Sequence, residues 1–120
     1  MLESAETPLE VPGVDPASIV WEDEIWVLAR HDAGDRLGLT LHHREPEALG
    51  QLSDDHASQL GRIGNRLVRI IENLPDAGAV SLGRNPDVHA KLYFEVADVA
   101  DDRLHEIAVK LSNWGGSARA

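Results

Sequence analysis

The chain contains no cysteine, which removes disulfides, thiol catalysis and cysteine-ligated zinc. No apolar run reaches membrane-spanning length. The first residues, MLESAETPLE, lack the basic and apolar regions of a secretory leader, so a cytoplasmic location away from membranes is expected. Positive charge is scarce: 11 Lys and Arg stand against 21 Asp and Glu, a formal net charge of −10. A surface of that sign repels nucleic-acid backbones, and no nucleic-acid partner is expected. Solubility is the simplest use of the charge. One small anionic ligand is still compatible with it, because an arginine, a lysine and a few backbone N–H groups suffice to hold a phosphate.

Several motifs are missing too. The chain has no G-x-S-x-G, no P-loop and no dinucleotide fingerprint. Its six histidines form no His-x₃-His pair and no Glu-x-x-His box. His42 and His43 are adjacent, so in a strand they point to opposite faces. No metal and no cofactor are therefore expected.

What is present is one domain's worth of sequence, 120 residues, enough to bury a core without staples. Residues 1–16, with Pro8, Pro12 and Pro16, read as a flexible lead-in or a loose strap over the domain. SIVWEDEIWVLARH reads as two β runs parted by a polar tripeptide, a hairpin. LGLTLHHR alternates Leu37, Leu39 and Leu41 with Gly38, Thr40 and His42, a third strand.

The main helix should start after Ser53, a good N-cap, with Asp54 and Asp55 at the positive end of its dipole. Leu60, Ile63, Leu67, Ile70, Ile71 and Leu74 give it one buried face, and Gly61 and Gly64 leave room for another backbone. AVSLG and DVHAKLYFEV are the fourth and fifth strands. A second helix has Leu104, Ile107, Ala108, Leu111 and Trp114 on its inner face and stops near Gly115. The domain should span residues 17–116, and residues 117–120 should be a mobile tail. Short connections favour an α+β fold: an antiparallel five-stranded meander with two helices.

In DVHAKLYFEV the apolar residues Val88, Ala90, Leu92, Phe94 and Val96 alternate with Asp87, His89, Lys91, Tyr93 and Glu95. Five chemically capable side chains thus share one strand face. Together with WEDE, ARHD, the block GLTLHHREPEALGQLSDDH and the helix after it, this strand resembles the histidine-triad (HIT) family of nucleotide hydrolases and transferases, over roughly residues 17–115. The resemblance implies a HIT-like fold and a homodimer paired through the main helix and last strand.

It also implies a strand of three alternating histidines, the middle one attacking the α-phosphate of a nucleotide. Only His89 is present here. In one register His89 takes the first position, with Lys91 in the nucleophile's place and Tyr93 third. In the other His89 is the nucleophile, flanked by Asp87 and Lys91. The match of KLYFE to the end of the family strand favours the first. By the same resemblance Asp32 would meet ribose hydroxyls, and Arg84 and Asn85 a phosphate, although Pro86 removes one backbone donor there.

The expected function is a divergent member with a degenerate triad, binding a nucleotide or other small phosphorylated molecule through Asp32, Arg84, Asn85, Lys91 and Tyr93. The alternatives are an active nucleotide phosphohydrolase or nucleotidyltransferase using catalytic His89, and a non-catalytic dimeric interaction protein.

Overall fold

Two-residue alternation builds the sheet. The computed structural model describes residues 14–33, 36–45, 47–74, 80–83, 91–96 and 103–119, the side chains of residues 32 and 33 excepted. β1 (Ile19–Glu22), β2 (Trp26–Ala33) and β3 (Arg36–His43) run as an antiparallel meander. Asp23, Glu24 and Ile25 form the turn between the first two, one residue later than the polar tripeptide, and Asp23 shapes it. Its Oδ1 accepts from the backbone N–H groups of Ile25 and Trp26 at 2.8 and 2.6 Å. Arg44 fastens the turn from the end of β3: its Nε donates to Asp23 O at 3.0 Å and its Nη2 to the Glu22 carboxylate at 2.7 Å.

α1 (Asp54–Glu72) follows, capped at Ser53, whose hydroxyl accepts from the His56 N–H at 3.1 Å. Leu60, Ile63, Leu67, Ile70, Ile71 and Leu74 are all buried, as their spacing requires. β4 (Val80–Gly83), β5 (Lys91–Val96) and α2 (Leu104–Ser112) complete the expected order. Trp21, Trp26, Leu28, Leu37, Leu39, Leu41, Phe94 and Val96 join the inner residues of both helices in one core. No helix among the described residues is long and apolar enough to cross a membrane.

The α+β class and the two helices hold, but the sheet differs from the expected meander. Among the described residues it has six antiparallel strands in the order β4-β5-β3-β2-β1-β6. After α1 the chain enters at the edge as β4, and β5 returns inside it to pair with β3. The sixth strand, β6 (Ser117–Ala118), lies where a mobile tail was expected. Gly115 and Gly116 carry φ of 134° and 77°, conformations that side chains resist, and they turn the chain back along β1. Trp21 Nε1 then donates to Gly115 O at 3.0 Å, and Arg119 N to Val20 O at 2.7 Å.

At the other end of the domain, Val14 packs on Ile19 and Val27, and Asp15 caps a 3-10 turn over Pro16–Ser18. Val14, Asp15 and Pro16 lie inside the segment read as a flexible lead-in or loose strap; residues 1–13 are outside the described part.

Two smaller expectations also change. Trp114 lies beyond α2, half exposed, with the Arg66 guanidinium 5.3 Å from its ring. Among the described residues, no second backbone packs against the glycines of α1. Gly61 faces open space, and a Cβ on Gly64 would meet Leu92 and Phe94 at ordinary contact distances of 3.6 and 3.8 Å.

Gly116→Ala should destabilise the fold by ~1–3 kcal/mol, because its left-handed backbone and the Trp21 indole both oppose a Cβ. Gly61→Ala should stabilise it by ~1 kcal/mol through helix propensity alone. Urea denaturation of the two variants measures both effects.

Candidate functional site

Alternation along β5 sends Leu92, Phe94 and Val96 toward the helices and Lys91, Tyr93 and Glu95 to the opposite face. On that face β3 sets His42 beside Lys91, Thr40 beside Tyr93 and Gly38 beside Glu95. Beyond β3, the same rows continue into Val27, Ala29 and His31 of β2.

Gly38 decides where His31 goes. A Cβ on Gly38 would stand 2.6 Å from His31 Nε2 and 2.8 Å from the His31 carbonyl oxygen. The missing side chain gives the imidazole its seat. From that seat His31 Nδ1 lies 2.8 Å from Thr40 Oγ1, and its ring meets Tyr93 edge-on with centroids 5.7 Å apart. Arg36 and Glu95 form a loose, exposed ion pair of 3.7 Å at the end of this face, which contributes little.

Of the residues singled out in the sequence, Lys91 and Tyr93 share this face. The backbone of Asp32 pairs with Leu37 near the end of β2. His89, Arg84 and Asn85 lie outside the described residues. β2 and β5 are not neighbours, and the His31 ring crosses β3 over Gly38 to reach Tyr93. Sequence reasoning left Thr40 and His42 out; both are buried, at 3% and 7% exposure, in line with Tyr93 and Lys91. The strict alternation of β3 was the signal that could have found them.

A second cluster lies on the helix face. β3 ends at His43, fully buried. The chain turns through Glu45, passes Glu47 and enters α1 with His56 in its first turn. His43 Nε2 and His56 Nδ1 stand 2.9 Å apart. Glu47 Oε1 is 3.3 Å from the first and 3.4 Å from the second. That oxygen is buried yet receives no well-directed hydrogen bond, an arrangement that costs ~1–3 kcal/mol.

Trp26 lines the cluster, its ring edge-on to His43 at 4.8 Å and to His56 at 6.5 Å. Its indole N–H is fixed by Gln59 Oε1 at 3.0 Å. The spacing of the histidines alone carried no sign of this convergence.

Two clefts lie apart from the β5 face. One of about 640 Å³ runs between the first hairpin and β6, lined by Glu22, Arg44, Gln59 and Arg119 among others. Its guanidinium groups are already engaged, since both Arg44 and Arg119 hold the Glu22 carboxylate. The other, of about 240 Å³, lies between the helices and is lined by Trp21, Arg62, Arg66 and Trp114.

No protein-family model, no curated protein and no solved structure matches the chain.

Gly38→Ala should destabilise the protein by ~1–3 kcal/mol through overpacking and should unseat His31. Urea denaturation and the His31 imidazole resonances report the two effects. Adding His31→Ala should recover only part of the loss, because the residue 31 carbonyl oxygen still stands 2.8 Å from the new Cβ.

Proposed function

We propose that the chain is a divergent HIT-like protein with a degenerate triad, whose β5 face binds a nucleotide or another small phosphorylated molecule. The observation that carries this reading is the donor set of that face. His31, Thr40 and Tyr93 are locked together over Gly38. Lys91 stands two residues before Tyr93 on the same side of β5, beside His42. A cationic ammonium, imidazoles and hydroxyls side by side suit phosphate oxygens, in a chain whose overall charge is otherwise repulsive to them.

The usual nucleotidyl-histidine chemistry is not part of the proposal. A lysine at the nucleophile's place must lose its proton to react, which needs desolvation or a nearby cation. Glu95, on the same strand face, opposes that loss. A homodimer paired through α1 belongs to the same reading.

The test is thermal stabilisation by adenosine and guanosine monophosphate, with inorganic phosphate alongside. A nucleotide at a hundredfold excess over its dissociation constant should add ~2.7 kcal/mol of stability. Lys91→Ala combined with Tyr93→Phe should abolish the gain. No shift with millimolar nucleotide would refute the proposal. Turnover of dinucleoside polyphosphates that disappears in His89→Ala would replace it with the catalytic reading.

A further inference from the structure

We infer that His43, Glu47 and His56 form a binding site for a divalent transition-metal ion, with zinc the best match. The three side chains come from three parts of the chain: the last residue of β3, the connection after it and the first turn of α1. One ligand atom from each faces the other two, all within 4.8 Å of one another.

The triangle they make has the size a tetrahedral ion requires. Bonds of about 2.0–2.1 Å from zinc to imidazole nitrogen and carboxylate oxygen place neighbouring ligand atoms about 3.3 Å apart. The two edges that include Glu47 Oε1 measure 3.3 and 3.4 Å. The His43–His56 edge is shorter, 2.9 Å, because the two nitrogens are held together by a hydrogen bond. An ion replacing that proton has to open this edge by about 0.4 Å to reach tetrahedral spacing. His56 is free to yield by that amount, since it is partly exposed at the start of a helix, whereas His43 is sealed.

The surroundings suit a metal better than a simple polar contact. Glu47 Oε1 is buried and meets the two imidazole nitrogens without a well-directed hydrogen bond, an arrangement that a shared cation would complete. His43 Nδ1 lies 3.1 Å from the Glu45 carbonyl oxygen. The Glu45 backbone N–H donates to the same Nδ1 at 2.9 Å, which leaves the ring proton on Nε2. An ion at Nε2 requires that proton to move to Nδ1, where the Glu45 carbonyl oxygen accepts it, the support that ligating histidines commonly have. Trp26, edge-on to both rings and tied to Gln59, fixes the apolar wall. Two imidazoles and one carboxylate are ligands of borderline softness, which favour zinc and its neighbours over magnesium or calcium. Three protein ligands leave one tetrahedral position for water, the pattern of an open zinc site.

The full-length protein, stripped with a chelator and dialysed, should be titrated with zinc by calorimetry and with cobalt(II) by visible absorption. The expected result is one ion per chain, with cobalt bands of low-symmetry coordination, displaced by zinc. Glu47→Gln and His56→Ala change partly exposed side chains and should each weaken binding by more than the ~10–100-fold that loss of a supporting partner costs. Circular dichroism should confirm that both variants keep the fold. Glu45→Gln, whose side chain is no ligand, should bind as the wild type does. Absence of binding by the wild type at micromolar zinc would overturn the inference. So would undiminished binding in both ligand variants, which would place the ion on other histidines.

Discussion

β3 lies between β2 and β5, with seven of its eight residues buried. Its register is the constraint on which both clusters depend. Leu37, Leu39 and Leu41 face the helices at no more than 1% exposure. Each such leucine contributes ~1.5–3 kcal/mol by burial. Together they pin the strand, because a slip of one residue would turn all three out of the core and drive Thr40 and His42 into it. The polar residues need no energetic preference of their own for their places. They go where the leucines leave them, with Gly38, Thr40 and His42 on one side and His43 at the end of the other.

The two clusters spend that placement differently. On the β5 face the hydroxyl of Thr40 meets His31, and the His31 ring packs against Tyr93. Everything there depends on an atom that is missing, the Cβ of Gly38. On the helix face, Trp26, Gln59 and the Glu45 backbone hold His43 firmly, yet a carboxylate oxygen is left facing two imidazole nitrogens without a directed hydrogen bond. On the helix face Glu47 Oε1 thus departs from the local rules of polar satisfaction. Breaches of that kind in an otherwise consistent fold mark places where something other than stability has been selected.

How much of this was legible beforehand follows from the range of each signal. The α1 cap and its buried stripe are local, and Ser53 and the leucine and isoleucine spacing announced them. The alternation of β3 and β5 is equally local, so Lys91 and Tyr93 were placed on one face correctly. Strand order is not local: nothing within LYFEV tells it to pair with β3 while β4 takes the edge. β6 has only two residues, too few for any periodicity, and the two glycines before it announced a stop without announcing a return. The His43, Glu47 and His56 triangle was hidden for a further reason. Tests of ligand spacing look for two ligands on one helix or strand, and here each comes from a different segment.

The adjacency of His42 and His43 separates the two imidazoles without deciding what each one meets. Neighbouring residues of a strand do face opposite ways, and these two do not share an ion. Adjacency and spacing do not reach partners that come from other segments. Each instead meets partners that the fold brings from elsewhere: Lys91 lies beside His42, and His56 and Glu47 lie beside His43. The same alternation that separates the pair assigns one imidazole to each face of the sheet. A ligand on the β5 face and an ion beside α1 would therefore have β3 between them. Loss of the Lys91 ammonium leaves the three ion-binding atoms untouched, and loss of the Glu47 carboxylate leaves His31, Thr40 and Tyr93 in place.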